Sequence, residues 1–189
     1  MPWPRSRRRG LFGIPIVGVI AFVLGVVTLG GFNWAMEVTS ETAFCLACHE
    51  MEAFIYPEYQ ASIHYSNAAG IRAECVDCHL PSHSWFAKTA KKIYVSKDLW
   101  FHLTGKIATA ERFEMHRLEM AQREWDRLSA NDSRECRSCH TFEAMDNDAQ
   151  ARFASRRHAA AVSDGQTCID CHRGVAHALP TATPAARAL

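Results

Sequence analysis

Charged side chains are missing from a long stretch near the N-terminus of this 189-residue chain. None occurs between Gly10 and Met36, and no Asp or Glu precedes Glu37. Beyond this stretch, the chain has few of the Leu, Ile, Val and Phe side chains that usually build a protein core. The shortage argues against an ordinary aliphatic core in residues 37–189, so another apolar group must fill the interior.

An excess of positive charge is missing as well. The whole chain carries 21 Lys and Arg against 20 Asp and Glu. Four of those arginines precede residue 10, which leaves 17 basic against 20 acidic side chains in residues 37–189, a formal charge of −3. This balance argues against nucleic-acid binding, which depends on basic side chains that contact phosphates.

The uncharged stretch predicts a single membrane-spanning helix. Its apolar part, residues 11–34, is 24 residues long, and a helix of that length crosses a hydrocarbon layer of about 30 Å. Arginines 5, 7, 8 and 9 precede it, so the positive-inside rule places residues 1–10 in the cytoplasm and the rest of the chain in the periplasm. A cleaved signal peptide is the alternative, but the run exceeds the roughly 7–15 apolar residues of a signal and no clear Ala-x-Ala site follows. An uncleaved signal anchor is therefore predicted over residues 11–35.

The eight cysteines form four Cys-x-x-Cys pairs, and a histidine directly follows each pair. In c-type cytochromes, two thiols at this spacing bond one porphyrin while the adjacent imidazole binds its iron. Structural zinc or a disulfide framework would also use cysteines, but neither explains the four histidines. The sequence therefore predicts four covalently bound haem c groups, whose apolar rings would supply the missing core. The motifs consist of Cys45, Cys48 and His49, of Cys75, Cys78 and His79, of Cys136, Cys139 and His140, and of Cys168, Cys171 and His172.

Four other histidines recur at matching places around the first two motifs and around the last two. This repetition predicts two dihaem modules and makes these histidines candidate distal ligands, because ligation by two imidazoles closes an iron to substrates and suits electron transfer. His102 and His116 lie outside the repeat, and we expect them to be ordinary helix-face or core residues. The candidate distal ligands are His64, His83, His158 and His177.

Residues 84–130 contain no haem motif and predict two helices separated near Gly105. The first, residues 85–102, mixes lysines with aromatic side chains. It lies either on the domain with its lysines in water or at the lipid interface, where a quinone ring would be available. The second has Thr109 as its N-cap and an apolar stripe expected to pack on haem edges. Together these features predict a mainly α fold without a substantial sheet, with a haem domain over residues 36–180 and a disordered tail over residues 181–189.

Five segments carry a resemblance to a known family. With the anchor, they make nearly the whole chain similar to the NapC/NirT family of membrane-anchored tetrahaem quinol dehydrogenases, and most similar to the branch that serves periplasmic nitrate reductase. The resemblance implies quinol oxidation at the surface of the bacterial inner membrane. It also implies electron transfer through the haems to a periplasmic reductase, expected to be nitrate reductase and its cytochrome subunit. The segments are CLACHEM (45–51), SIHYSNAAGIRAECVDCHLP (62–81), FEMHRLEMAQREW (113–125), NDSRECRSCH (131–140) and TCIDCHRGVAHALP (167–180).

The resemblance further implies roles for individual residues. Met51 matches a methionine that, in the nitrite-reductase branch, binds the iron of the first haem in place of the motif histidine. Four distal histidines are then one too many, so either one of them is free or the first haem keeps His49 and a distal imidazole. By the same comparison, Asp98 with Lys97 or Lys91 is expected to contact the quinol, and Asp98 would accept its protons.

Three alternative functions follow from the same sequence. A terminal reductase needs an iron that water can reach, which the repeated distal histidines disfavour. A redox sensor would be expected to carry a cytoplasmic signalling domain as well. A sister quinol dehydrogenase that feeds a nitrite or N-oxide reductase agrees with the motifs equally well, although the chain lacks the fifth haem motif of the longer N-oxide-reductase cytochromes.

Overall fold

The computed structural model describes residues 10–11 and 14–181, and helices dominate it. This confirms the mainly α prediction. The chain divides into two compact units, residues 1–40 and residues 41–189. The disordered tail predicted from residue 181 falls outside the described residues from position 182 onward, as do the first nine residues of the predicted cytoplasmic segment.

One long apolar helix makes up most of the first unit. Helix α1 spans Ile16–Val38 and is long and apolar enough to cross a membrane. It begins later than residue 11, the first of the predicted anchor, because Gly10–Leu11 (β1) and Ile14–Pro15 (β2) pair as two short antiparallel strands. Pro15 stands at the N-cap in an extended conformation, and a proline also disfavours helical geometry in the residue before it. At about 1.5 Å per residue, the 23 residues of α1 extend roughly 35 Å, enough for a bilayer core.

The second unit consists of short helices around two longer ones. Helix α5 begins where the Ser84 side chain accepts a hydrogen bond from the Ala87 N–H, at 3.3 Å, and it ends before Gly105, which has a left-handed φ of 68°. Helix α6 begins after Thr109, whose side chain accepts a hydrogen bond from the Arg112 N–H at 3.3 Å. Both helices and the Thr109 cap were predicted from the sequence and are confirmed. The helices are α2 Thr42–Cys45, α3 Tyr56–Gln60, α4 Cys75–His79, α5 Trp85–Leu103, α6 Ala110–Ala130, α7 Arg134–Arg137, α8 Arg152–Asp164 and α9 Cys168–Cys171, with a π-helix at Met51–Ile55 and a 3₁₀ turn at Phe142–Ala144.

Few side chains form an apolar core. Among the described residues, the buried hydrophobic side chains are Tyr59, Ile107, Phe113 and Ile169. Charged and polar side chains are buried in comparable number, including Glu50, Lys91, Arg117 and Glu135. A unit with so little aliphatic burial is poorly stabilised by its own side chains, which agrees with an interior completed by apolar haem rings.

Candidate haem centres

Three of the four Cys-x-x-Cys-His motifs fold as about one turn of helix, whereas in the first motif Cys45 ends α2 and Cys48 follows a turn. Helix α4 contains the whole second motif, and its first turn is closed by a capping box of Glu74 and Asp77. Helix α9 begins the fourth motif in the same way, with Thr167 and Asp170. Residues three and four positions apart share one side of a helix, so the two thiols and the imidazole of each helical motif lie on the same side. All eight cysteines are within the described residues, and none of them is paired in a disulfide.

The thiols differ in their exposure. Cys139 and Cys171, the second thiols of the third and fourth motifs, are exposed, whereas Cys48 and the other five are half-buried. The Cys48 carbonyl accepts a hydrogen bond from the Met51 N–H at 3.0 Å, and the Cys139 N–H donates to the Cys136 carbonyl at 3.2 Å. These bonds hold the backbone of Cys48 and Cys139 in a turn. Attachment of a porphyrin to these particular thiols stays a prediction from their spacing.

The four motifs lie next to one another in chain order. Helices α2 and α4 pack together and bring the first motif to the second, where the Thr42 hydroxyl is 3.4 Å from the Cys75 sulfur. Helices α4 and α7 bring the second motif to the third. The buried Ser133 hydroxyl, just before α7, accepts a hydrogen bond from the Ile169 N–H in α9 at 3.1 Å. Groups bound at the four motifs would therefore form a row, which is the arrangement that passage of electrons requires.

Every motif histidine lies beside a second histidine from another part of the chain. An imidazole nitrogen binds a transition metal at about 2 Å, so two nitrogens on opposite sides of one metal are about 4 Å apart. The Nε2 atoms of His158 and His172 are 3.4 Å apart, which is close to that spacing. The residues present thus fit ligation by two imidazoles at all four motifs. The ring centroids are separated by 5.5 Å for His49–His102, 6.1 Å for His79–His177, 6.2 Å for His140–His64 and 5.7 Å for His172–His158.

Two of these pairs join the halves of the chain. His64, from the first half, faces His140 of the third motif, and His177, from the end of the chain, faces His79 of the second motif. The sequence repeat gave no indication of this crossing. The two dihaem modules remain a prediction, and in the structure their histidines are interleaved.

A buried glutamate organises the first pair. Glu50 directly follows His49 and its side chain is only 1% exposed. Both of its carboxylate oxygens lie within 2.9 Å of His102 Nδ1, and one lies 3.3 Å from His49 Nε2. When the Nδ1–H of an imidazole donates to a carboxylate, the Nε2 lone pair is left available for a metal. Glu50 therefore fixes the orientation of His102 and leaves its Nε2 available to a metal.

An ion pair holds the loop that carries His177. Arg117 donates to both carboxylate oxygens of Glu58, at 2.8 and 2.9 Å, and Glu58 accepts the Ala178 N–H at 2.9 Å. Burial, together with the neighbouring His79, lowers the pKa of His177 to about 4. A neutral imidazole is the form that binds a metal.

The second motif is supported by a network around Glu124. This carboxylate contacts Lys91 and accepts from Arg127 at 2.8 Å, and it lies 3.7 Å from His79 Nδ1. Burial alone would raise the pKa of Glu124, but hydrogen bonds and charge from His79, Lys91 and Arg127 hold it well below its usual range. Arg127 also donates to the Cys78 carbonyl at 2.7 Å. The orientation of His79 is thereby tied to helices α5 and α6.

The residues expected to contact quinol all lie on α5, but they have different neighbours. Lys91 is 8% exposed and faces inward onto Glu124. Lys97 places its Nζ 3.6 Å from the centroid of the Tyr94 ring. Asp98 is half-buried, and its Oδ1 is 3.7 Å from Arg123 Nη2 without a hydrogen-bond partner among the described residues.

The surroundings of Asp98 favour its protonated form. Burial raises the pKa of Asp98, although the charges of Arg123 and Lys97 oppose the shift. A groove of about 500 Å³ is lined by Arg123 but not by Asp98, and tyrosine, alanine and charged side chains surround it. The lining residues are Ala90, Lys91, Tyr94, Arg123, Asp126 and Arg127.

Comparison with known proteins decides the family. The sequence model of the family described as "NapC/NirT cytochrome c family, N-terminal region" matches residues 8–182. The chain belongs to the NapC/NirT cytochrome c family. As in other NapC/NirT cytochromes, the haem c is covalently bound and the protein is a membrane-anchored electron carrier.

Three relatives show how far the similarity extends. The denitrification system component NirT of Stutzerimonas stutzeri is 50% identical over 175 residues, which cover 93% of this chain and 85% of that protein. The cytochrome c-type protein NapC of Escherichia coli K12 is 49% identical over 178 residues, 94% of this chain and 88% of that one. The cytochrome c-type protein TorY of Haemophilus influenzae is 48% identical over 159 residues, 83% of this chain but 42% of the longer relative. No solved structure matches the chain significantly.

In this NapC/NirT cytochrome, His102 has a neighbour that sequence reasoning did not indicate. We expected an ordinary helix-face or core histidine; it does lie on α5, and the structure also places its ring 5.5 Å from that of His49. A signal was available, because Lys91, Asp98 and His102 share one side of α5, at intervals of seven and four residues. His116, by contrast, does lie on a helix face, where its Nδ1 is 2.8 Å from the Arg112 carbonyl oxygen.

Two predicted ligands are not brought to a second histidine. His83 is exposed in the loop after α4, and the described part of the chain places no other imidazole beside it. Met51 is half-buried at the start of the π-helix that follows Glu50. Iron ligation by either residue stays a prediction.

Proposed function

We propose that this cytochrome carries four haem c groups, oxidises membrane quinol at the periplasmic face of a bacterial inner membrane, and delivers the electrons to a periplasmic reductase. The observation that carries the proposal is the pairing of all four motif histidines with a second imidazole. Two imidazole ligands leave no open position for a substrate, which favours electron transfer over terminal reduction. The row of adjacent motifs supports the same conclusion.

Each haem is held by the two thiols of one motif. The pairs are Cys45 with Cys48, Cys75 with Cys78, Cys136 with Cys139, and Cys168 with Cys171. The helical turns of the last three motifs, which bring both thiols to one side, support this attachment.

The iron ligands follow from the histidine pairs. We assign His49 and His102 to the first haem, which corresponds to the alternative in which that haem keeps its motif histidine and gains a distal imidazole. Under this assignment Met51 packs beside the first haem and His83 is the free histidine. The other assignments are His79 with His177, His140 with His64, and His172 with His158.

Asp98 is the proposed acceptor of quinol protons. Quinol oxidation releases two electrons and two protons, while each haem accepts one electron. The Oδ1 of Asp98 is buried yet unpartnered among the described residues, so it is able to accept a hydrogen bond from a quinol hydroxyl. Asp98 precedes His102 by four residues on α5, which places proton acceptance one helical turn from a proposed iron ligand.

Nearby cations support this role. Arg123, beside Asp98, and Lys97, on the Tyr94 ring, place positive charge where a quinol oxygen loses its proton. Charge already in position stabilises a developing oxyanion without further reorganisation. Lys91 contributes indirectly, because its ammonium is engaged by Glu124.

Periplasmic nitrate reductase with its cytochrome subunit is the proposed electron acceptor, on the resemblance of the five sequence segments. A specific observation favours a second candidate. The identities to NapC and NirT are 49% and 50%, so a reductase of a denitrification system is supported almost equally.

The test is rapid reduction of the full-length haem-loaded protein in detergent by a menaquinol or ubiquinol analogue, followed by haem absorbance. Asp98→Asn is compared with Asp148→Asn, a matched change at an exposed aspartate in a loop. We expect quinol to reduce the wild type and the Asp148 variant at similar rates and the Asp98 variant at least about tenfold more slowly, the size typical of losing a general base.

Three readings of this experiment are distinct. Equal rates in the Asp98 variant and wild type reject the role of Asp98 but leave quinol oxidation intact. If dithionite reduces the wild type and neither quinol does, the dehydrogenase function itself is rejected. A haem count of four per chain in each variant shows that loading is unaffected.

A further inference from the structure

Helix α5 turns polar side chains towards the protein and apolar side chains outward, the opposite of an ordinary surface helix. Its inner side carries charged and polar side chains, namely Lys91, which is 8% exposed, and the half-buried Asp98 and His102. Its outer side is mainly apolar, although Ser96 and Lys97 lie there too. The outer residues Phe86, Ile93, Trp100 and Leu103 are 78%, 70%, 64% and 68% exposed.

The two sides are separated by helix geometry. Successive residues are rotated by about 100°, so Phe86, Ile93 and Trp100, at intervals of seven, form one stripe. Lys91 and Asp98, also seven apart, lie on the opposite side. We call the stripe of Phe86, Ile93, Trp100 and Leu103 the outer face of α5.

Haem groups do not account for the outer face. Contacts from the inner side tie α5 to two of the haem motifs: His102 reaches Glu50 and His49, and Lys91 reaches Glu124 beside His79. A haem held by these histidines therefore lies on the far side of the helix from Ile93 and Trp100. An apolar face of this size left in water usually marks an interaction surface.

We propose that the outer face of α5 lies in the lipid interface of the membrane. The anchor helix α1 ends at Val38, and the unit that contains α5 begins at residue 41, so the chain itself keeps this unit close to the bilayer surface. Attachment at that range gives a second contact a high effective concentration.

The composition of the helix fits the same partner. Tryptophan and phenylalanine on one side and lysines elsewhere are characteristic of helices that lie in the plane of the interface. Lys97 and Lys106 rest their ammonium groups on the rings of Tyr94 and Phe101, at 3.6 and 4.1 Å. Long basic side chains at such a boundary bury their stems and keep the charge at headgroup level.

The test measures how fast single introduced thiols react. In the haem-loaded protein, the native cysteines are held in thioether bonds, so Phe86→Cys, Ile93→Cys and Leu103→Cys each add one reactive thiol. Phe153→Cys on α8 is the matched control, because Phe153 is an exposed phenylalanine, 71% accessible. Full-length protein is placed one copy per nanodisc of phosphatidylcholine and phosphatidylglycerol and treated with a charged, membrane-impermeant thiol reagent.

We expect the three outer-face thiols to react at least ~10-fold more slowly than the control, and fluorophores attached there to be quenched by lipids that carry a nitroxide near the headgroup. Reaction rates equal to that of Phe153→Cys overturn the proposal. Protection that appears only with two copies per disc, or only after a soluble reductase is added, also overturns it, since the occupant would then be a protein. Because three positions are tested, failure of one variant to load four haems leaves the other two. The result does not depend on quinol oxidation, so the two proposals fail separately.

Discussion

Glu50→Gln tests how the first haem is held. The substitution keeps the size and an acceptor oxygen but removes the charge that His102 Nδ1 contacts at 2.8 and 2.9 Å. A hydrogen bond to a charged group contributes about 1.5–3 kcal/mol and a neutral one about 0.5–1.5 kcal/mol. The difference, about 1–1.5 kcal/mol, is little screened because Glu50 is 1% exposed.

The expected readout is a reduction potential. A carboxylate that accepts a hydrogen bond from a ligand imidazole stabilises the oxidised iron, which carries more positive charge. Loss of the carboxylate's charge therefore makes that iron easier to reduce. For one electron, about 1–1.5 kcal/mol corresponds to an increase of roughly 40–65 mV. We predict this increase for one haem of the four in a spectroscopically monitored redox titration, together with a changed low-spin electron paramagnetic resonance signal.

The control is Glu52→Gln, which removes an exposed charge two residues away. It should leave all four potentials within about 10 mV, because water screens an exposed charge. Two outcomes refute the reasoning: unchanged potentials in the Glu50 variant, or equal shifts in both variants. In either case Glu50 does not bond an iron ligand.

Three further predictions follow from the structure. His102→Ala should convert one haem to a high-spin signal in electron paramagnetic resonance, whereas His83→Ala should leave four low-spin haems; the opposite result would restore His83 as a ligand. Arg117→Met should destabilise the protein by about 1–3 kcal/mol in thermal unfolding. This is less than the cost of breaking a fully buried ion pair, because Glu58 is 23% exposed. The change should also weaken ligation by His177, and an unchanged haem absorbance spectrum would show that this ion pair does not hold the loop. Since the pKa of Asp98 is raised, quinol reduction should decline as the pH falls while still above the ordinary aspartate value of about 3.9, and a decline that persists unchanged in Asp98→Asn would assign it to another group.

Local patterns in the sequence were sufficient for much of the fold. The caps at Ser84 and Thr109 and the left-handed Gly105 delimit α5 and α6, and these signals act within a few residues. The four haem motifs are local as well, because each spans only five residues. Helix α1 begins at Ile16, after Pro15 at its N-cap, a boundary that hydropathy alone does not register.

The distal ligands depend on tertiary structure. His102 and His49 are separated by 53 positions and meet only because α5 packs with its polar side inward. Nothing next to Glu50 in the sequence indicates that this carboxylate is buried, and a glutamate is almost never fully buried unless paired. The repeat did not indicate which distal histidine faces which motif, and it is the fold that places His64 beside His140.

The link between His79 and His177 sets an order for maturation. The chain is synthesised from its N-terminus, so His79 appears 98 positions before the residue that faces it. All four attachment motifs are complete once His172 has been made, but under the proposed ligation the second haem would still have only one imidazole at that point. On that assignment, a chain that ends before residue 177 would attach every haem and leave the second one open to external ligands such as carbon monoxide. The last few residues of the described chain would then convert a fully loaded intermediate into a closed electron carrier.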